Sequence, residues 1–479
     1  MACNGSACQS GCYKKGDELA APEEGGAAAA SNSNSNSSSN GSGNNLCVKC
    51  KVKEPFTVAG GGGGEDGRFC AECFRSNLFG KFRHAVTSNA MIGPTDNVLV
   101  AFSGGPASRV ALQFVHELQY KAQKNFDASR DRSLPVFGVG VAFVDESAAH
   151  LPSSDKAMDQ AIEDVKSLVL ELSPPAKELH HFPIESICSG DSSDQREKLK
   201  EVLNAVTDAT GKEDFLVHLR MLALQKIASE NGYTRVGRGY SLPADIQYVD
   251  ARWEAPVVLP LHDCLAQELN MLCHLDGLKT IELPYEPQST INSLISSFVA
   301  LLQGSLKTIE LPYEPQSTIN SLISSFVALL QEENPSREST IVRTAGKLTP
   351  FAFNRIPEIN DTNVPLATRR RQKRSSLKLN GSISSESFCP MCYSPLIQSK
   401  VQALDTPEAS KTNSYIFGSS CCSSCRFQIL PQDPLCMEHF YSHLPPPLVA
   451  RASSGNAHDI RSLREHIQDY LLLDSDNEQ

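Results

Sequence analysis

The chain has 479 residues, a net charge of −11 and 40% hydrophobic residues. That length holds about two to four domains with a sizeable core. The acidic balance excludes a uniformly basic nucleic-acid binder but not a basic patch on one face. No apolar run approaches a membrane span, and the start MACNGSACQSGCYKK lacks the apolar stretch of a secretory signal, so a cytosolic or nuclear protein is expected. In such a reducing compartment sixteen cysteines read as metal ligands or reactive thiols rather than disulfides.

Residues 1–45 have the composition of a disordered segment, rich in Ser, Asn, Gly and Ala with nothing to bury. Cys3, Cys8 and Cys12 precede the low-complexity run with irregular spacing and read as free thiols. Residues 46–90 carry Cys47-x2-Cys50 and, nineteen residues on, Cys70-x2-Cys73. Two CxxC turns of this kind complete a tetrahedral zinc shell, so an N-terminal zinc ribbon is expected, with the glycine run Gly60 to Gly64 inserted between its halves. The following stretch FRSNLFGKFRHAV interleaves Arg75, Lys81, Arg83 and His84 with three phenylalanines. It suits RNA, where charge meets phosphate and rings stack on bases. It suits equally a helix with a buried aromatic stripe and a solvated basic face.

From residue 91 to 277 the pattern is α/β. NVLVAF and PVFGVGVAFVDES predict buried strands, the second ending in Asp145 and Glu146; ELHHFPI and APVVLPL predict two more. SRVALQFVHELQ, MDQAIEDVKSLVLEL and DFLVHLRMLALQKIASENG have helical apolar spacing, and HDCLAQELNMLCHL predicts a further helix with Asp263 near its N-cap. Strands alternating with helices indicate a parallel sheet covered on both faces, with ligands at the carboxyl ends of its strands. Ser103-Gly104-Gly105 falls at such an end. Small residues let backbone N–H groups approach phosphate oxygens, the next helix offers its positive end, and Ser103 and Ser108 add hydroxyls. The Walker lysine is absent, which excludes a P-loop NTPase. The competing reading is a tight strand-to-helix turn with no ligand.

The segment LKTIELPYEPQSTINSLISSFVALLQ occurs twice without a mismatch, at 278–303 and 306–331. Stacked structural repeats come in larger, imperfect sets. A two-fold identical copy instead suggests a recent exon duplication or an error of gene prediction. Each copy carries one amphipathic stripe, in the first Ile291, Leu294, Ile295, Phe298 and Leu302. A core built for one such helix is expected to accept one copy and leave the other poorly docked. Residues 332–387 read as linker, with six basic residues between Arg369 and Lys378. Residues 388–450 carry a second set, Cys389-x2-Cys392 and Cys422-x2-Cys425 twenty-nine residues later, with Cys421 beside it. A C-terminal zinc ribbon is expected. Residues 451–479 read as a short amphipathic helix and an acidic tail.

The loop AFSGGPAS, the cysteine sets LCVKC, FCAEC, CPMC and CSSC, and the stretches GRGYSLPADIQYVDARWE and LPLHDCLAQELNMLCHLDGLKT together resemble the PP-loop ATP pyrophosphatase superfamily. Within it they resemble the cytoplasmic tRNA 2-thiolation protein 2 family, in a plant-like form. The resemblance runs from about Cys47 to Leu473. It implies a PP-loop α/β core and a cytoplasmic role in adding sulfur to the wobble uridine of tRNAs for lysine, glutamate and glutamine. It also implies a heterodimer with the catalytic tRNA 2-thiolation protein 1 and a thiocarboxylated ubiquitin-related modifier as sulfur donor. ATP would act mainly through that partner. Ala107 stands where active members of the superfamily place aspartate, and the core cysteines Cys188, Cys264 and Cys273 contain no CxxC. No catalytic residue is therefore carried over. The stretch after Val236 looks shortened relative to the family. The alternatives are a tRNA sulfurtransferase acting on its own, and a zinc-dependent adaptor. The adaptor is disfavoured because a ring needs interleaved ligands over a short span.

Overall fold

The computed structural model describes residues 46–56, 69–129, 135–150, 155–239, 248–283, 318–334, 388–396 and 412–454, with isolated positions at 337, 340, 341 and 344. The N-terminal segment with Cys3, Cys8 and Cys12, the basic run from Arg369 to Lys378, the C-terminal helix and the first copy's helical stripe lie outside the described residues.

Helix α1 (Ala71–Ser88) leads into strand β1 (Asn97–Ala101), helix α2 (Pro106–Ala128), β2 (Gly138–Asp145), α3 (Asp155–Glu171) and β3 (Glu178–Pro183). Helices α4 (Ser192–Ala205) and α5 (Ala209–Glu230) precede β4 (Arg235–Arg238), β5 (Val249–Asp250), β6 (Val257–Val258) and α6 (Ala266–Leu275). The sheet order is β3-β2-β1-β4-β6-β5. All neighbours pair parallel except β5 with β6. The expected mostly parallel α/β architecture is thus present.

Strand β1 shows why this sequence makes a central strand. Val98, Leu99 and Val100 are all buried, as a strand covered on both faces requires. Val98 and Val100 join α1, α2, α3 and α6 in one apolar cluster, while Leu99 joins α5 in another. The chain leaves β1 toward β2 and β3, then returns through α5 to place β4 on the other side of β1. The order therefore reverses between β1 and β4, which opens a crevice at their carboxyl ends.

Helix α7 (Ile319–Glu333) comes from the second copy of the repeat. It is capped by Thr318, whose side chain accepts from Ser321 N, and it leans on α5 through Ile319 N to Thr210 Oγ1 at 3.0 Å. Its apolar stripe, Ile319, Leu322, Ile323, Phe326 and Leu329, is exposed. The C-terminal part holds α8 (Asn413–Ser420), α9 (Ser423–Gln428), α10 (Pro434–His443) and α11 (Pro446–Ser454). It shares an apolar cluster with α4 and α5, in which Phe215 and Leu219 meet Met391, Phe417 and Phe440. Gly211 in the first turn of α5 makes this docking possible: a Cβ there would lie 2.0 Å from the Gln428 carbonyl oxygen.

Asp263 lies near the start of α6, as expected, but is not its N-cap. Its N-cap is Leu265, whose N–H donates to Glu268 Oε2 at 2.8 Å. Asp263 stays in the preceding turn, where it accepts from the Tyr248 hydroxyl. Of APVVLPL, only Val257–Val258 pairs as strand.

Candidate functional site

The turn after β1 sits at the β1/β4 crevice. Gly105 is the N-cap of α2 and Pro106 opens it, where a missing N–H costs nothing. Gly104 has φ +81, a backbone state that favours glycine. The two serines turn toward each other. Ser103 N and Ser103 Oγ lie 3.2 and 3.3 Å from Ser108 Oγ, which donates to Gly105 O at 2.9 Å. The hydroxyl of Ser108 is thereby engaged inside the turn. From outside, the head of the first repeat copy lies on the loop. Ile281 N donates to Gly104 O at 3.0 Å, and a Cβ on Gly104 would meet Ile281 O at 2.6 Å. Ser103 remains exposed, while Gly104 and Ser108 are buried.

The acidic end of β2 is also occupied. Asp145 accepts from Ser147 N at 2.9 Å and lies 3.6 Å from His181. Burial pushes its carboxyl up, but the His181 and Ser147 contacts outweigh this and hold it below the ordinary range. Glu146 is buried and paired with Arg220 of α5.

Helix α1 divides the basic-aromatic stretch. Phe74 and Phe82 are buried, and Phe79 packs edge-on against Phe114 of α2. Arg75 pairs with Glu117 and with Asp276 at 2.6 Å, and Lys81 pairs with Glu268. Arg83 and His84 are exposed. Phe74 and Phe82 are core, and half-buried Phe79 packs on Phe114 with the Lys121 ammonium 3.9 Å from its ring centroid, so none of the three rings stands free to stack on bases.

Two groups of four cysteines bring their sulfurs within 4.8 Å of one another: Cys47, Cys50, Cys70, Cys73 and Cys389, Cys392, Cys422, Cys425. Each begins with a tight knuckle. Lys51 N donates to Cys47 O at 2.8 Å, and Tyr393 N to Cys389 O at 2.8 Å. Lys51 and Tyr393 have φ of 55 and 58. Each ends on a helix start, with Cys70 the N-cap of α1 and Cys422 the N-cap of α9. Among the described residues, then, each set joins a knuckle to a helix N-terminus, where a ribbon would join two hairpins. The helix end favours thiolate charge. Cys421 stands beside the second set with its thiol against Cys389, which together with burial pushes its pKa above the ordinary thiol range.

The sulfur spacing fits a tetrahedral ion. Cys50 Sγ to Cys70 Sγ is 3.8 Å and Cys392 Sγ to Cys422 Sγ is 3.7 Å. Zinc–sulfur bonds of about 2.3 Å give a tetrahedron edge of about 3.8 Å, whereas a disulfide bond is about 2.0 Å long. The thiols also split in acidity. Burial raises Cys47, but N–H groups of Cys50, Cys70 and Lys49 prevail and hold it at about 6. Burial together with the other three thiols pushes Cys73 up to about 12. In the second set Cys389 drives Cys392 down to about 7, while Cys389 and Cys392 drive Cys425 far up. Four sulfurs this close cannot all ionise without a cation among them.

The family model described as Cytoplasmic tRNA 2-thiolation protein 2 matches residues 318–433. A curated protein of that name from Arabidopsis thaliana is 52% identical over 495 aligned residues, 99% of both chains. The protein of that name from Oryza sativa subsp. indica is 44% identical over 90% of both. Among solved structures, the U34-tRNA thiolase NcsA from Methanococcus maripaludis, solved with its 4Fe-4S cluster, aligns at 15% identity. That alignment covers 63% of this chain and 86% of that one, with a TM-score of 0.41. By its near-full-length identity to the Arabidopsis and rice proteins, the chain belongs to the cytoplasmic tRNA 2-thiolation protein 2 family.

Proposed function

We propose that this chain is the non-catalytic subunit of the cytosolic machinery that thiolates C2 of the wobble uridine in tRNAs for lysine, glutamate and glutamine. Its core is of the PP-loop type. It pairs with the catalytic tRNA 2-thiolation protein 1, which handles ATP, and it helps receive sulfur from a thiocarboxylated ubiquitin-related modifier. Family membership supports the pathway. The closed loop is the observation that carries the non-catalytic assignment. Ser108 bonds to Ser103 and Gly105, Ile281 is seated on Gly104, and Ala107 supplies no metal-binding carboxylate. The two cysteine sets each hold a structural zinc, which neutralises the thiolates and ties knuckle to helix. Arg83 and His84 are the solvent-facing tRNA contacts of α1. Arg75 and Lys81 join them only by exchanging carboxylate partners for phosphate.

The test is mass spectrometry of wobble uridines in cells lacking this protein, paired with assays of the purified chain. Loss of 2-thiouridine, with no ATP-dependent tRNA adenylation by the chain alone and full activity when the partner is added, is expected. Unchanged 2-thiouridine would overturn the pathway, and adenylation by the lone chain would overturn the non-catalytic assignment.

A further inference from the structure

We infer that Glu201, His439 and His443 form a third metal site, taking a divalent transition ion of the zinc, nickel or copper kind. The two histidines are one turn apart on α10, a spacing that stacks them on one helix face. Glu201 reaches them from α4. His443 Nε2 lies 2.7 Å from Glu201 Oε2, and His439 Nε2 lies 3.9 Å from the same oxygen. The imidazole rings stand 4.4 Å apart, and one ligating atom from each of the three residues falls within 4.8 Å of the others. Zinc–nitrogen and zinc–oxygen bonds of about 2.0–2.1 Å in a tetrahedron put ligand atoms about 3.3 Å apart. The two observed distances bracket that value, so small side-chain rotations complete the site.

The ring orientation of His443 is the second observation. Its Nδ1 lies 2.8 Å from the His439 carbonyl oxygen. A carbonyl only accepts, and the Ser442 hydroxyl, 3.0 Å from the same nitrogen, is spent donating to that carbonyl at 2.7 Å, so these contacts assign the proton to Nδ1. In the neutral ring Nε2 then directs a lone pair at the Glu201 carboxylate. At 2.7 Å two lone pairs require something positive between them, either a proton or a metal ion. A backbone carbonyl holding the far nitrogen is how metal-bound histidines are commonly oriented. Two imidazoles and one carboxylate select borderline transition ions over magnesium or calcium. The side chains of His439 and Glu201 are 56% and 39% exposed, so water fills the remaining positions and the ion exchanges with solvent. Bound there, the ion staples the C-terminal helices to α4 of the α/β core, beside the apolar cluster they share. The site stands independently of the thiolation role and of the identity of the ions in the cysteine sets.

The experiment is calorimetric titration of the zinc-replete full-length chain with Ni²⁺. The expected result is one saturable nickel site per chain that vanishes in the His439→Ala, His443→Ala double variant and weakens in Glu201→Gln. The circular dichroism and the cysteine-bound metal content of both variants are expected to match the parent. A Cu²⁺-loaded sample is expected to show coupling to two imidazole nitrogens by electron paramagnetic resonance, lost in the double variant. Absence of nickel uptake by the parent chain, or equal uptake by parent and double variant, would overturn the site and leave a protonated His443–Glu201 ion pair.

Discussion

Lys51 and Tyr393 hold the same place in two knuckles far apart in the chain, with the same left-handed backbone and the same bond back to the first cysteine. Their surroundings differ. Around the C-terminal knuckle, Cys389, Cys421 and Cys425 are themselves members of an apolar cluster with α4 and α5. Arg252 Nη1 donates to Tyr393 O at 3.0 Å, and the Arg451 guanidinium lies over the rings of Trp253 and Tyr393 at 5.1 and 4.5 Å. Around the N-terminal knuckle, none of Cys47, Cys50, Cys70 and Cys73 belongs to the core cluster; α1 is anchored by Phe74, Leu78 and Phe82 instead. The same metal-ready device is thus built into a core in one case and appended to an already anchored helix in the other. How far the loss of a cluster spreads through the fold should then depend on what packs on it.

The sharpest way to break this comparison is to remove one thiolate from each set. Cys389→Ser is expected to unfold α8–α11, because with the proposed zinc in the second set, loss of that ion site would remove the free energy that orders a small module. The loss should exceed about 5 kcal/mol for that module, read as lost hydrogen-exchange protection from 412 to 454. Cys47→Ser should loosen only residues 46–56, with α1 amides still protected. Equal losses would show that α1 also depends on its cysteine set. Next in size, Phe82→Ala should cost about 3–5 kcal/mol in chemical denaturation with any metal content of the N-terminal set unchanged. Gly211→Ala comes third. In an open helix alanine would gain about 1 kcal/mol over glycine, but here its Cβ meets Gln428. A loss of roughly 1–3 kcal/mol is expected, and a gain in melting temperature would mean that α5 and α9 do not touch so closely. The smallest effect belongs to Ser108→Ala, about 1 kcal/mol from the turn's hydrogen bonds, with the partner-dependent rate of tRNA thiolation unchanged. A large loss of rate at unchanged stability would return the loop to catalysis.

The strongly periodic elements were readable from sequence. NVLVAF and DFLVHLRMLALQKIASE announce a buried strand and a long helix because burial leaves an apolar pattern. Strand β4 was not readable. Only Val236 and Gly237 are buried, between two half-buried arginines, so a central strand looks like a polar loop. Helix α4 hides in the same way, burying Leu199, Val202 and Leu203 among charged residues. At the loop, sequence marked Ser103, Gly104, Gly105 and Ser108 as a phosphate cradle but could not reveal that Ile281, far along the chain, lies on it. The four-residue spacing of His439 and His443 was visible; their partner Glu201 comes from α4, and nothing local pointed to it.

The repeat has a consequence for the history of the chain. The described contacts use the head of the first copy, where Ile281 meets Gly104, and the tail of the second, where α7 meets α5. The copies begin at Leu278 and Leu306, so deleting residues 284–311 restores one uninterrupted copy containing both pieces. Leu283 and Thr318 would then be seven residues apart, a reach of at most about 24 Å. If that span closes, both contacts survive the deletion, so one copy supplies everything the described fold uses, whether the second arose by exon duplication or by an error of gene prediction.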